Sequence, residues 1–221
     1  MKSFNPKGKF TTRGEVLAFS GSSIISFMDQ NTQTLVEVGK MVQNEFSKQS
    51  FYNKMVLLPT NTFHITVLGL IQECYRDTWP SYIPKNASIS EANRLLYERF
   101  IQVKSPSNIQ LEVVGLVPQA ILLNPVNKED KYKLNYYRQS LQRQLELELD
   151  VEPFQYHMSV AYVVDELTTN ERVLLDYYCD KLYLKMDPLP RFTLPKIQFT
   201  YYEDMLNYYP EGHEKCFGVP R

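Results

Sequence analysis

The sequence predicts an α+β fold of two comparable lobes, and two observations carry that expectation. Two stretches far apart in the chain repeat one pattern: Phe63-His64-Ile65-Thr66-Val67 and Tyr156-His157-Met158-Ser159-Val160. Around them, segments with helical spacing of apolar residues alternate with short β-like runs in two rounds, one motif to each round. Successive side chains of a strand point to opposite faces, so each motif sets His and a hydroxyl on one face and three apolar residues on the other. The chain has only 3 histidines, and two of them occupy equivalent places in the repeat.

The first strand is expected over Ser23 to Met28, after the turn-like run at 20–23. A helix follows from Thr32 to about Lys48, where Leu35, Val38, Val42 and Phe46 recur at helical spacing and Glu37, Lys40, Gln43 and Lys48 are left to solvent. A short strand near Met55 to Leu58 precedes the first His strand, Thr62 to Leu70. The stretch from Gln72 to Asn86, with Trp79, Pro80 and Pro84, has neither period and reads as a long loop.

Ser88 with Glu91 forms a capping-box pattern ahead of a helix carrying Leu95, Leu96, Phe100 and Val103. The second round repeats the order. Strands near Ile109 to Val117 and Ala120 to Leu123 lead into a helix from about Glu129 to Leu149, with Leu134, Tyr137, Leu141, Leu145 and Leu149 inward. The second His strand spans Gln155 to Val164. Thr168 with Glu171 opens a helix through Val173, Leu174, Tyr177 and Leu182, and a strand from Ile197 to about Tyr202 precedes a short tail.

Composition bounds the function. At 221 residues and 43% hydrophobic, the chain can bury a core as one bilobal domain, 1–221. Its 24 basic residues against 25 acidic ones leave a formal charge of −1, so no global field draws it to nucleic acid or anionic lipid, and a nucleotide partner has to be held locally. Cys74, Cys179 and Cys216 are odd in number and lack CxxC spacing, which argues for a reducing compartment. The N-terminal run lacks the ~7 to 15 residue apolar core of a secretory signal, and no run approaches the ~20 apolar residues of a membrane span. A soluble, cytoplasmic protein with no membrane partner is expected, with a monomer as the default.

Two His-x-Thr/Ser motifs on strands half a domain apart resemble the signature of the 2H phosphoesterase superfamily. The run GEVLAFSGSSIISFM at 14–28 and the run GLIQECYRDTWP at 69–80 are similar to a branch of uncharacterised bacterial and phage-type, LigT-like members. The resemblance implies two ferredoxin-like lobes related by a pseudo-twofold axis, with the two His strands facing each other across a central cleft. It also implies a metal-independent phosphodiesterase acting on 2′,3′-cyclic phosphates, 2′,5′-linked or cyclic oligonucleotides, or RNA ends.

The residue types suit that chemistry. Displacement at phosphorus needs a base for the attacking oxygen and an acid for the leaving one, and two imidazoles can supply both. His64 and His157 are the expected pair, in an order the sequence leaves open, and Thr66 and Ser159 are the expected donors to phosphate oxygens. No cofactor is called for. A metal centre would want carboxylates or further histidines at ligand spacing, which the motifs do not bring. Neither hydroxyl sits in a GxSxG elbow, no activated thiolate is evident, and no glycine-rich phosphate loop occurs among the 8 glycines.

Arg76 and Trp79, in the loop after the first motif, are expected as a phosphate contact and a base-stacking surface, against the plain alternative of a solvated Arg and a packed Trp. Thr200 and Tyr202 could line the cleft, but alternation does not say which face looks inward. His213 reads as a solvated loop residue, and the acidic run Glu146, Glu148, Asp150 and Glu152 reads as a solvated face. The rival reading is a module that keeps the cleft and binds a nucleotide or RNA end without cutting it.

Overall fold

The computed structural model describes residues 8–148, 154–186 and 188–218. In chain order its elements are β1 (Gly21–Phe27), α1 (Gln33–Phe46), β2 (Met55–Leu57), β3 (His64–Gln72), α2 (Ile89–Phe100), β4 (Gln110–Val117) and β5 (Ala120–Pro125). Then follow α3 (Lys128–Gln144), β6 (Tyr156–Ser159), β7 (Ala161–Val163), α4 (Thr169–Leu184), β8 (Arg191–Thr193), β9 (Ile197–Tyr202), β10 (Tyr208–Pro210) and α5 (Glu214–Phe217). Among the described residues no helix is long and apolar enough to cross a membrane.

Eight strands form one antiparallel sheet in the order β10-β9-β1-β3-β6-β5-β4-β8, and β2 with β7 forms a separate ribbon. The two His strands, β3 and β6, are neighbours at the middle of the eight. The fold is therefore α+β with two four-strand lobes, one on each side of the β3/β6 seam. The lobes are not consecutive in sequence. β1 and β3 are completed on their outer edge by β9 and β10, so the chain leaves the first lobe, builds the second, and returns.

The helices seal the face opposite the histidines. On α1, Leu35, Val42 and Phe46 are fully buried, as their spacing predicts, and Gly39 comes close to both Phe63 and Met158, the apolar residues of the two motifs. A side chain at position 39 would begin 2.6 Å from the Phe63 ring, so the close approach of helix to seam requires glycine. One turn further along the same helix, Gln43 donates from Nε2 to the carbonyls of Leu58 (2.7 Å) and Val160 (2.8 Å), which belong to opposite halves. Tyr97 and Phe100 of α2 pack on Phe199 of β9.

Several expectations need correction. The second His strand breaks at Val160, where the Val160 and Ala161 amides both donate to the Gln119 carbonyl and turn the chain into β7. The loop at 72–86 contains a 3-10 segment, Glu73–Thr78. Ser88 caps α2 by accepting from the Glu91 amide, while Thr168 and Glu171 make the full reciprocal box at α4. α3 stops at Gln144, because Glu146 adopts φ +53°. Leu134, Tyr137, Leu141 and Leu145 are buried as expected, whereas Leu149, Asp150 and Glu152 lie outside the described residues. On α4 the inward residues are Leu175, Cys179 and Leu182, and Val173 and Tyr177 face solvent. That helix is apolar on several sides, so spacing alone does not single out its core stripe.

Candidate active site

Both motifs alternate as strands should. Phe63, Ile65 and Val67, and likewise Tyr156, Met158 and Val160, are buried, while His64, Thr66, His157 and Ser159 are half-buried on the opposite face. The two strands pair at Ile65 and Met158, antiparallel. Continued by one residue in each direction, that register sets His64 across from Ser159 and Thr66 across from His157. Each imidazole therefore faces the other motif's hydroxyl around a local dyad through the Ile65/Met158 pair. Directly opposed residues on one face have Cβ atoms ~4.5–5.5 Å apart and diagonal ones ~7–8 Å, so His64 and His157 are diagonal neighbours on one face of the sheet.

The rings are fixed in the same way. His64 Nδ1 is 2.7 Å from the Thr62 carbonyl and His157 Nδ1 is 3.2 Å from the Gln155 carbonyl, in each case the residue two before the histidine. A carbonyl accepts only, so each Nδ1 carries the proton and each Nε2 is left for chemistry. The surroundings are unequal. The His64 ring lies 4.7 Å from the Tyr208 ring and 6.1 Å from the Phe27 ring. Burial pushes the His64 pKa down to about 4, against the opposing pull of the Thr62 carbonyl, and the charges of His157 and Lys9 act in the same direction as burial. On β5, Leu122 is the register partner of His157 and Ala120 that of Ser159, so the immediate neighbours of the second motif on that side are aliphatic.

Three residues without any sequence signal complete the surroundings. Tyr208, on a strand not foreseen, also packs on Tyr202 and Phe27. The Tyr162 hydroxyl reaches the Met205 sulfur at 3.6 Å, as the Tyr208 hydroxyl does at 3.8 Å. Lys9 comes from an N-terminal hairpin, where Phe10 bridges to Val16 and the Leu17 amide donates to the Lys9 carbonyl. The hairpin turns at Gly14 with φ +83°, a conformation that favours glycine.

The remaining candidates lie elsewhere or serve packing. Trp79 is only 3% exposed, donates from Nε1 to the Gln72 carbonyl, and is covered by the Arg76 guanidinium 4.5 Å from its ring. Arg76 spends its donors on Glu73 and on the carbonyls of Lys85 and Ala87. The pair holds the 73–87 loop together, and Trp79 offers no open face for a base. Of the late-strand pair, Tyr202 reaches the aromatic group beside His64, while Thr200 is fully buried with its hydroxyl unpartnered. His213 is exposed and caps α5 by accepting from the Lys215 amide. Cys179 and Cys216 are buried, which pushes both thiols up to about 12, and Cys74 is exposed. Among the described residues no group of three or more His, Cys, Asp and Glu side chains is placed to hold a metal ion.

A conserved protein of unknown function from Agrobacterium tumefaciens, ATU0111, has the same fold, with a TM-score of 0.79 at 18% identity over 95% of this chain and 90% of that one. E. coli LigT complexed with 3′-AMP matches at a TM-score of 0.49 and 11% identity over 87% and 95%. TT0787 of Thermus thermophilus matches at 0.43 and 10% over 90% and 100%. No curated protein matches the sequence. A family model for 2H phosphodiesterases, described as a domain of unknown function (DUF1868), matches residues 9–122, which hold the first motif and run just past half the chain. The chain belongs to this 2H phosphodiesterase family.

Proposed function

We propose that the protein is a metal-independent phosphodiesterase that uses His64 as general base and His157 as general acid on a nucleotide or oligonucleotide with a 2′,3′-cyclic, 2′,5′-linked or cyclic phosphodiester. The observation that carries this reading is the seam itself: Ile65 opposite Met158, with each imidazole facing the other motif's hydroxyl and both Nδ1 atoms engaged by a backbone carbonyl.

The order follows from the surroundings. With its pKa near 4, the His64 ring is neutral at neutral pH, and the neutral Nε2 lone pair can take a proton. In the proposed step, Nε2 of His64 removes a proton from the attacking water or ribose hydroxyl as that oxygen bonds to phosphorus. The bond from phosphorus to the leaving oxygen breaks, and that oxygen takes the proton from Nε2 of His157. The step ends with His64 protonated and His157 neutral, and exchange with solvent restores both. Thr66 and Ser159 donate to the non-bridging oxygens, whose charge grows as the fifth bond to phosphorus forms. An anionic phosphodiester beside His64 also favours its protonated form, so substrate strengthens the base it needs.

The test is incubation with a panel of 2′,3′-cyclic nucleotides, 2′,5′-oligoadenylates and cyclic dinucleotides, with and without excess chelator. Product formation that survives chelation and is abolished in His64→Ala and in His157→Ala is expected. Full activity in either variant removes the reading, and retention without product supports the binding module instead.

A further inference from the structure

From the position of the Lys9 side chain we infer that its ammonium group is a further phosphate contact of this cleft, one that holds a non-bridging oxygen on the His64 side together with the two motif hydroxyls. The inference rests on the reading of the cleft as a phosphodiester site.

Lysine ammonium groups ordinarily extend into water or pair with carboxylates. This one is only partly exposed and pairs with no carboxylate among the described residues. Its Nζ lies between two aromatic rings, 5.5 Å from the Phe19 centroid and 5.2 Å from the Tyr162 centroid. Among the described residues no carboxylate pairs with it, although other lysines, among them Lys54, Lys196 and Lys215, are so paired. Burial accordingly lowers its pKa. Two ring faces offset part of the cost of leaving water, and an anion would offset the rest.

The neighbours show where that anion belongs. Tyr162, which forms one wall around Lys9, shares the Met205 sulfur with Tyr208, whose ring lies 4.7 Å from that of His64. The charge of Lys9 is felt at His64, alongside that of His157. The titratable groups gathered around the ammonium from β3, β6, β7 and β10 are thus His64, His157, Tyr162 and Tyr208. None of them is a carboxylate. The acidic group felt in this neighbourhood, at Tyr208, is that of Asp204, and among the described residues it makes no ion pair with the ammonium. A phosphodiester gains negative charge as the attacking oxygen bonds, and a fixed ammonium at that point favours the more charged species.

The hairpin fixes the placement. Phe10, next to Lys9, is buried against the Tyr162 ring at 5.3 Å, and the Phe19 amide donates to the Glu203 carbonyl, so both ends of the hairpin are anchored. The lysine is held in position by its own neighbours in sequence.

The experiment is a titration of the protein with inorganic phosphate, followed by the imidazole NMR signals of His64 and His157, in the unmodified protein and in Lys9→Met and Lys9→Arg. Methionine fills the same space between the two rings, so the melting temperature of Lys9→Met should not fall. Phosphate affinity should drop ~10-fold or more in Lys9→Met and recover in Lys9→Arg, as expected for a charge-assisted contact. Loss of the neighbouring charge should also raise the His64 pKa, a response that a packing role would not give. Equal phosphate affinity in Lys9→Met, or no saturable binding by the unmodified protein, overturns the inference. The titration needs no turnover. Lys9-dependent phosphate binding without any product from the nucleotide panel would therefore sink the phosphodiesterase reading alone, and full turnover of that panel by Lys9→Met would sink the Lys9 contact alone.

Discussion

Ile65 and Met158 are paired across the seam of the sheet, fully buried, with the candidate machinery directly behind them on the other face. A strand slipped by one residue exchanges its two faces, so this pair determines which side chains enter the cleft. The chemistry therefore depends on packing that it never touches.

The hydroxyls can be tested without disturbing that packing. Thr66→Val keeps the shape of the side chain and removes the donor, and Ser159→Ala removes the partner donor. Each should lower kcat by ~10²–10³ with little change in melting temperature, while Thr66→Ser retains most activity. Steady-state kinetics beside thermal unfolding separates the two effects.

A second prediction concerns pH. His64 titrates near 4 in the folded protein and at ~6.5 when unfolded. The unfolded chain binds the extra proton between those values, so the contribution to stability is complete above pH ~6.5 and is lost as pH falls toward 4. The loss is at most ~3 kcal/mol, and less to the extent that water reaches the half-buried ring. The acidic limb of kcat/KM for the free enzyme should likewise lie near 4. Urea unfolding across pH, with imidazole titration by NMR, checks both.

Gly39→Ala should destabilise the protein even though alanine is the better helix former by ~1 kcal/mol. The added methyl would meet a buried Phe63 ring at 2.6 Å and Met158 at 3.3 Å, and overpacking of this kind costs ~1–3 kcal/mol. A lowered melting temperature with reduced turnover is expected, since Phe63 adjoins His64.

Trp79→Ala should cost ~3–5 kcal/mol through the cavity it leaves, whereas Trp79→Phe should fold and show an unchanged KM. A raised KM in a well-folded Trp79→Phe would return this residue to the substrate.

The motif faces, the succession of strands and helices along each round and the caps at Ser88 and Thr168 are legible because each depends on residues a few positions apart. The closure of the first lobe by β9 and β10 is not, since it joins strands more than a hundred residues apart in sequence and no local pattern encodes a partner. Tyr208 and Lys9 are illegible for the same reason: a lone tyrosine in a short edge strand and a lone lysine in a hairpin acquire meaning only from what the distant chain sets beside them. Arg76 and Trp79 show the converse. Their types suit nucleotides, but Glu73 and two loop carbonyls satisfy the arginine, which in turn covers the tryptophan.

The return of the chain to its first lobe has a bearing on biosynthesis. Strands β1 and β3 leave the ribosome early, yet the outer edge of β1 stays open until residues 197–202 have been made. The lobe translated first is thus the last to be finished, and the nascent polypeptide carries an unpaired edge through most of its elongation, a natural point of engagement for chaperones.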